Sequence, residues 1–293
     1  MKQVIRSVYK KLPYKKPFFE LLKNFVAPSE NVYKHFHFEG DFEVQIDKSH
    51  SFLMRHYGFE LENTLFWMGI RKGWEKTSIS LWTKLVRKSD VIFDIGANTG
   101  VYSLIAKSLN SQSKVYAFEP VKRVYEKLEY NNRLNDYDIV CFEWAISDSD
   151  GTATIYDTPT EHVYSVTVNK NLSAENIEVI PTEIKVRRLD SLIEEMKIEK
   201  IDLIKIDVET HEPEVLEGFG KYLDKFKPTM LIEVLNDEVG EKIEALVKGC
   251  DYLYFNLDEK SDSIRKVERI TKSDYYNYLI CSREVAREIK LLD

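Results

Sequence analysis

The chain is constrained most by a short apolar run, residues 91–95, that opens into a turn containing Gly96 and Gly100. An amphipathic stretch, residues 101–109, follows the turn. This order predicts a strand, a turn and a helix, the start of an α/β nucleotide-binding unit, in which glycines let the backbone approach a ligand closely. A second apolar run ends at Glu119, 23 residues beyond Gly96. An acid at this kind of spacing is placed to accept hydrogen bonds from ribose hydroxyls.

The spacing within the turn distinguishes between nucleoside-bearing ligands. A dinucleotide fingerprint, G-x-G-x-x-G, presents a helix N-terminus to a pyrophosphate, whereas this chain has Asp94-x-Gly96-x-Asn98-x-Gly100. A carboxylate at Asp94 would repel a pyrophosphate and attract a cation. S-adenosylmethionine is such a ligand, since it carries an ammonium and a sulfonium and no phosphate. Taken singly, Asp94 could instead cap the turn and Glu119 could be a solvated strand end, but the two acids together favour the cofactor.

Beyond these two motifs, the chain resembles S-adenosylmethionine-dependent methyltransferases of the FkbM family, over roughly residues 60–282. The segments that carry the resemblance are Asp94–Gly100, Phe118–Pro120, Ala145–Asp148, Arg188–Leu192, Ile201–Glu209 and Glu212–Gly218. The first belongs to many methyltransferases, whereas the last two together are far more specific to the family. The chain departs from the family at Thr210 and His211, where members commonly carry glycine and often an aromatic residue, and this departure bears on the acceptor.

The resemblance implies O-methylation of a hydroxyl on a small molecule, sugar or glycan, with S-adenosylmethionine as cofactor. The residues leave two alternatives open. A methyltransferase acting on a nitrogen acceptor in nucleic acid is disfavoured because the chain lacks an Asn/Asp-Pro-Pro-aromatic motif. A module that binds the cofactor without transferring methyl is disfavoured because binding alone does not need the acids of the fourth strand. The sequence specifies neither the acceptor nor the oligomeric state.

The order of elements predicts an α/β fold with a seven-stranded, mostly parallel, Rossmann-like sheet, because strands alternate with helices. The predicted strands are residues 91–95, 114–119, 138–144, 201–207, 229–235, 251–256 and 275–282, with further strands at 152–157 and 183–188. The last two strands of the sheet have no helical pattern between them and are predicted to pair antiparallel. The methyltransferase domain is predicted over residues 89–293. An N-terminal extension, residues 1–88, is predicted to contain helices and a hairpin that turns at Glu39-Gly40-Asp41.

Ligands of such sheets lie outside the carboxyl ends of the strands, and this rule selects the candidate site. The residues predicted to bind the cofactor are Asp94, Gly96, Asn98, Gly100, Glu119, Ser147, Asp148 and Asp207. Asp148 is expected near the adenine, where it could accept from the exocyclic amine or serve only as a turn residue. The ends of the fourth and fifth strands add further candidate residues on the acceptor side of the site, namely Glu209, Thr210, His211, Glu212, Glu233 and Asn236.

Methyl transfer to a hydroxyl is assisted by a group that accepts the hydroxyl proton, an effect of about 10²–10⁴-fold. We expect Glu209 to be this base, with His211 second and Asp207 as the further catalytic candidate. Alternation along the strand places Asp207 and Glu209 on one side, and His211 follows on the loop, with a side chain of the type that titrates near neutral pH. A surface histidine beginning a helix is the alternative for His211. Glu212 is expected to be a first-turn acid that complements the helix dipole.

A divalent cation is an alternative way to activate the acceptor. Asp207 or Glu209 with Glu233 and Asn236 could supply the oxygen ligands that hard cations prefer, and such a cation would lower the pKa of an acceptor hydroxyl. These side chains could equally be hydrogen-bonding walls of the pocket, and we expect this arrangement, without a metal.

The loop over residues 158–181 is long and polar. Loops of this length in compact domains are usually functional or disordered. It is predicted to be an acceptor-binding lid, and a mobile surface excursion is the alternative.

Charge and composition bear on partners and location. The net charge of −7 disfavours a broad nucleic-acid footprint. Residues 1–25 differ, with seven basic residues, one acid and interleaved apolar residues. Such a segment could make a weak contact with an anionic membrane surface, although a helix packed on the domain with solvated lysines is favoured. Isolated cysteines, the lack of an apolar run of about 18 residues and the lack of a secretory signal predict a cytoplasmic protein.

Overall fold

The computed structural model of the protein describes residues 15–23, 25–26, 28–157 and 180–292. The chain divides into two compact units, Met1–Trp74 and Glu75–Asp293. This division falls before the helix at residues 76–85, whereas the sequence pattern predicted a boundary after residue 88. That helix belongs with the second unit because the Trp82 indole N–H donates to the Tyr102 carbonyl at 3.0 Å.

The first unit is built from short helices and one hairpin. Its elements are α1 (Lys15–Lys23), α2 (Glu30–Tyr33), β1 (Gly40–Gln45), β2 (Ser51–His56) and α3 (Glu60–Met68). The predicted turn at Glu39-Gly40-Asp41 is wrong, because Gly40 is already the first paired residue of β1. The turn instead follows β1, where the Asp47 carboxylate accepts the backbone N–H groups of Ser49 and His50 at 2.8 and 2.9 Å. An aspartate that bonds its own following backbone in this way stabilises a turn locally.

Helix α1 belongs to the basic segment for which the sequence suggested a membrane contact. Its Phe19 is buried and stacks on Phe36 at a centroid distance of 5.3 Å, with the Trp67 ring 5.5 Å away. Phe18 and Leu21 of the same helix are exposed. The inner face of α1 thus packs within the first unit, while contact of its outer face with a membrane stays a prediction. Residues 1–14 and 24 of this segment lie outside the described residues.

The second unit carries the elements of the predicted α/β domain. Its strands are β3 (Val91–Ile95), β4 (Lys114–Phe118), β5 (Val140–Phe142), β6 (Ala145–Ile146), β7 (Gly151–Asp157), β8 (Ile180–Arg187), β9 (Leu203–Ile206), β10 (Thr229–Glu233), β11 (Leu253–Asp258), β12 (Ser263–Val267) and β13 (Asn277–Cys281). Its helices are α4 (Lys76–Leu85), α5 (Val101–Leu109), α6 (Lys122–Leu134), α7 (Leu189–Met196), α8 (Glu212–Phe219), α9 (Lys221–Phe226), α10 (Asp237–Leu246) and α11 (Arg283–Glu288), with a 3-10 turn at Val86–Lys88.

The central sheet confirms the predicted α/β class. Within the described residues it has eight strands in the order β5-β4-β3-β9-β10-β13-β11-β12. The strands from β5 to β10 in this order run parallel, and β13 is antiparallel to both β10 and β11, as predicted for the last pair. The edge strand β12 was not predicted, because its sequence Ser-Ile-Arg-Lys-Val is rich in charge, as edge strands often are. The extra predicted strands, β7 and β8, form a separate sheet together with the short, unpredicted strand β6, in the order β6-β8-β7.

The two faces of the central sheet differ in chemistry. Phe93 and Ile204 are register partners on one face and belong to a buried apolar cluster. On the opposite face, Asp94 of β3 is the register partner of Lys205 of β9, and each side chain is only 1% exposed. Charged groups are almost never fully buried unless they are paired. This face of the sheet is therefore not an ordinary apolar core. It leads to the carboxyl ends of the strands, where the candidate site was predicted.

The predicted lid and a membrane-spanning helix are the two remaining features to compare with the structure. The predicted lid falls mostly on residues 158–179, which lie outside the described residues, and Ile180 and Pro181 already belong to β8. Across the part of the chain that is described, no helix has the length and apolar character required to cross a bilayer.

Gly218 of α8 tests how closely the fold packs around the strand ends. A Cβ at this residue would lie 2.0 Å from the carbonyl oxygen of Ser147. The backbone of α8 and the backbone at Ser147 would have to move apart to make room for the added methyl group. We therefore expect Gly218→Ala to lower the free energy of unfolding by about 1–3 kcal/mol, as overpacking does. Urea denaturation followed by tryptophan fluorescence measures the change. The control, Glu217→Ala at an exposed position of the same helix, should stay within about 0.5 kcal/mol of wild type; equal losses in both variants would contradict the close approach.

Candidate active site

The turn after β3 is shaped by close backbone contacts. Gly96 has φ +79°, and a Cβ there would lie 1.9 Å from the carbonyl oxygen of Asp207 at the end of β9. Gly100 has φ +93° and would place a Cβ 2.6 Å from Leu128 Cδ1. The Gly96 N–H donates to the Phe118 carbonyl at 3.0 Å. The two glycines are therefore required by neighbouring elements, and the turn is held against both β4 and β9.

Glu119, at the end of β4, is joined to this turn. Its carboxylate accepts the Asn98 backbone N–H at 3.1 Å and the Val121 N–H at 2.9 Å. The side chain is buried, and burial raises its pKa to about 7, against the opposing effect of these hydrogen bonds. Glu119 is thus not a solvated strand end. The structure joins Asn98 and Glu119, which were each predicted to bind the cofactor, by a hydrogen bond, while a bond from Glu119 to a ribose stays a prediction.

Asp94 has a partner within the protein. Its carboxylate accepts the Ser103 backbone N–H at 3.0 Å and the Ser103 hydroxyl at 2.6 Å, both in the first turns of α5. Burial raises its pKa to about 6, and the bonds to Ser103 and the charge of Lys205 oppose this rise. These contacts match the capping alternative considered for Asp94. Its influence on a bound cation would act through its charge across the turn.

The residues after β6 are linked to the loop after β9. The Ser147 hydroxyl lies 3.0 Å from His211 Nε2 and 3.1 Å from Asp148 Oδ1. The other ring nitrogen of His211, Nδ1, lies 3.5 Å from Glu214 Oε2. Asp148 itself is exposed. Ser147, which was predicted to bind the cofactor, therefore meets the base candidate His211, whose ring is held between a serine and a carboxylate.

The loop after β9 contains two successive non-glycine residues in the left-handed region, Glu209 at φ +53° and Thr210 at φ +79°. The Glu212 carboxylate stabilises this loop by accepting the N–H groups of Val208 at 3.1 Å and Thr210 at 3.3 Å. Glu212 is fully buried, and burial raises its pKa to about 7. Glu212 begins α8, as predicted, but its bonds to the loop were not anticipated from the sequence. Its action is to fix the backbone that carries Glu209 and His211.

Several polar residues beside this loop were missed by the sequence reasoning. Lys205 Nζ lies 3.0 Å from Asp207 Oδ2 and 5.2 Å from the centre of the Tyr102 ring. The Tyr102 hydroxyl donates to Glu75 Oε2 at 2.5 Å. One feature of the sequence could have indicated this group, namely a lysine within the apolar run Leu-Ile-Lys-Ile of β9. A charge buried in a strand requires partners, so this lysine predicts acidic neighbours. Nothing local marked Glu75, which reaches the site only through the packing of α4.

The electrostatics of this group are dominated by carboxylates. Burial would lower the pKa of Lys205, but Asp207, Glu75 and Glu233 raise it above its usual value. Burial and the charge of Asp207 raise the pKa of Glu233 to about 9, and Glu209 and Glu75 add to the rise. Burial likewise raises the pKa of Glu75. A site of this composition attracts positive charge.

A metal centre is not formed by the described residues. Among them, no group of three or more His, Cys, Asp or Glu side chains is arranged to hold an ion. Asn236, one of the oxygen ligands considered, instead caps α10, accepting the Val239 N–H at 2.9 Å. Asp207 and Glu233 lie at the strand ends, and their role as hydrogen-bonding walls of a pocket stays a prediction.

Comparison with known proteins gives a consistent match. The sequence model of the methyltransferase FkbM domain matches residues 94–254. The chain is 27% identical over 153 residues to the hexuronic acid methyltransferase AglP of Haloferax volcanii, an alignment covering 51% of this chain and 58% of AglP. It is 29% identical to the methyltransferase sdnD of Sordaria araneosa, covering 55% and 73% of the two chains, respectively. It is 30% identical to the 31-O-demethyl-FK506 methyltransferase FkbM of Streptomyces tacrolimicus, covering 45% and 60%.

Thr210 provides a test of the loop geometry. A β-branched residue at φ +79° is strained. Replacing it with glycine relieves this strain, and we expect the relief to exceed the stability lost through the conformational entropy that glycine adds to the unfolded chain. We expect Thr210→Gly to raise the free energy of unfolding by about 1 kcal/mol, within the usual range for a strained residue. Thr152→Gly, at an exposed position of β7, is the matched control and should destabilise. A loss of stability for Thr210→Gly equal to that of the control, measured by urea denaturation, would show that the loop does not hold this conformation.

Proposed function

Because the chain belongs to the FkbM methyltransferase family, we propose that it transfers a methyl group from S-adenosylmethionine to a hydroxyl of a small molecule, sugar or glycan. The observation that carries the proposal is the turn after β3, which packs at Gly96 against the Asp207 carbonyl and is joined to Glu119. The acceptor class is supported by relatives named for a hexuronic acid and for 31-O-demethyl-FK506. The chain covers 58% and 60% of those two relatives.

The residues present fit the cofactor. At Gly96 the turn packs directly against the Asp207 backbone, with no room for a side chain, and the nearby carboxylates suit the sulfonium and ammonium of a ligand without phosphate. Glu119 would hold the ribose hydroxyls, since each carboxylate oxygen can accept more than one hydrogen bond. Ser147 and Asp148 would lie at the adenine, and Asp207 would face the positive end. When bound, S-adenosylmethionine supplies a methyl carbon that is electrophilic because it is attached to a positively charged sulfur.

The protein's part in the reaction is to position the acceptor and to accept its proton. Glu119, Ser147 and Asp207 would hold S-adenosylmethionine, which would supply the methyl group to the acceptor oxygen and would leave as the neutral thioether. The hydroxyl proton passes to a carboxylate or imidazole at the end of β9. Glu209 is the first candidate for this base, because the Glu212 hydrogen bonds fix the loop that carries it. His211 is the second, although its ring nitrogens already face Ser147 and Glu214.

Calorimetry distinguishes the proposed cofactor from a nicotinamide dinucleotide. We expect binding of S-adenosylhomocysteine and no binding of NAD, because the Asp94 and Glu119 carboxyls lie at the turn where a dinucleotide would place its pyrophosphate. Glu119→Ala should weaken cofactor affinity by about 1.5–3 kcal/mol, the range for a hydrogen bond to a charged group. Glu119→Gln, which keeps one acceptor oxygen, should lose less, and Glu126→Ala, exposed on α6, should lose nothing. Tight binding of NAD without a response to S-adenosylhomocysteine would overturn the assignment.

Single-turnover rates identify the base once an acceptor is in hand. We expect Glu209→Gln or His211→Asn to reduce the rate at least about tenfold, a threshold set below the roughly 10²–10⁴-fold that general-base help usually contributes, while cofactor affinity stays intact. Glu217→Gln, exposed on α8, is the control. Wild-type rates in both variants would exclude a base on this loop.

A further inference from the structure

The polar face of the central sheet ends in a cluster that carries more negative groups than positive ones. Its members are Glu75 before α4, Asp94 on β3, Lys205 on β9, Asp207 directly after β9, and Glu233 on β10. Asp94 and Lys205 are register partners, and Lys205 pairs in turn with Leu231, two residues before Glu233. Alternation along each strand therefore places Lys205, Asp207 and Glu233 on the same face. The cluster combines four carboxylates with one ammonium.

The contacts of the cluster leave its charge incompletely compensated. Lys205 makes its ion pair with Asp207 at 3.0 Å. Glu75 is bound by two neutral groups, the Tyr102 hydroxyl at 2.5 Å and the Asn277 side chain. The Oδ1 atom of Asn277 is buried and has no hydrogen-bond partner among the described residues. A buried polar atom without a partner is uncommon in folded proteins, and this one adjoins the carboxylates.

Proton binding compensates part of this charge. Glu233 is half-buried at the end of β10, and it is faced by Asp207 and Lys205 from β9, by Glu209 from the following loop and by Glu75 from the segment before α4. Burial and these acids raise its pKa to about 9, and burial raises the pKa of Asp94 to about 6. At neutral pH the protein by itself therefore keeps part of the cluster protonated.

We propose that this cluster selects the positively charged cofactor over its neutral product, releasing a proton when a sulfonium binds beside it and taking a proton back once the sulfur is a neutral thioether. The inference rests on the proposed function. A sulfonium has a permanent charge that it cannot lose to its surroundings, so the carboxylates adjust instead, because a nearby opposite charge favours their ionised form. After transfer that charge is gone, repulsion among the carboxylates returns, and the proton lost by the acceptor hydroxyl has a place to bind.

Proton linkage measured by calorimetry tests the proposal without any turnover. S-adenosylmethionine and S-adenosylhomocysteine are titrated into the full chain at pH 7.5 in two buffers of different ionisation enthalpy, and the difference in heat gives the protons exchanged. We expect net proton release with S-adenosylmethionine and markedly less with S-adenosylhomocysteine. Equal proton exchange for the two ligands would overturn the inference while leaving the proposed function intact. Binding of neither ligand would overturn the proposed function, and the inference with it.

The pH dependence of the affinity ratio supplies a test that needs no variant. The sulfonium lowers the pKa of the α-amino group of S-adenosylmethionine relative to that of S-adenosylhomocysteine, so each free ligand is titrated separately and its contribution is subtracted from the ratio. Because a carboxyl with a raised pKa becomes charged only as the pH rises, we expect the preference for S-adenosylmethionine over S-adenosylhomocysteine to increase from pH 6 to pH 9.5. A ratio that is flat over this range would contradict the proposal.

Substitution of Glu233 assigns the effect to this cluster. Glu233→Gln keeps the shape and removes one ionisable group, so we expect it to reduce the proton release and to lower the preference for S-adenosylmethionine at pH 9 about tenfold, consistent with the loss of one nearby charge. Glu268→Gln is the control, because its side chain is 92% exposed and lies outside the cluster. Wild-type proton release and an unchanged ligand preference in a folded Glu233→Gln variant would show that other groups are responsible.

Discussion

The approach of the Asp207 carbonyl to Gly96 is the contact on which the candidate site depends. It brings the loop after β9 against the turn after β3, at a distance that excludes any Cβ. The same turn is bound from its other side by the Phe118 carbonyl and by Glu119. The backbone that would meet the cofactor is therefore positioned by neighbouring strands before any ligand is present, and preorganisation of this kind reduces the free energy lost on binding.

The loop after β9 shows what this arrangement costs. Two left-handed residues in succession, Glu209 and Thr210, are strained, and the loop is held by a buried carboxylate, Glu212. Burial of Glu212 raises its pKa to about 7, so the folded state is favoured when this group is protonated and loses that contribution as the pH rises through about 7. Strain and buried charge persist where surrounding structure fixes them, and they are common at functional sites. Here they orient the residues proposed to receive the acceptor proton.

The sequence predicted most of the domain because its patterns are local. The strand, turn and helix from Val91 to Leu109 have an apolar run, a glycine turn and an amphipathic stretch in direct succession, and the structure has them at nearly the same bounds. The hairpin of the first unit was placed wrongly because the Gly40 segment suggests a turn, whereas the bonds of Asp47 form the actual one. The edge strand β12 was missed because its stability comes from pairing with β11, and its own residues are mostly polar.

The sequence by itself determined the family, the α/β class and the two motifs that lie at the ends of β3 and β4, since these depend on residue types at short spacing. Only the tertiary structure decided how the acids are used. It gave Asp94 a bond to Ser103, placed His211 between Ser147 and Glu214, and brought Glu75 against Tyr102 beside Lys205. These partners are far apart along the chain or on different elements, and their pairing is set by strand register and helix packing. The same burial sets their charge, because the pKa of a carboxyl depends on the groups that surround it and on its distance from water.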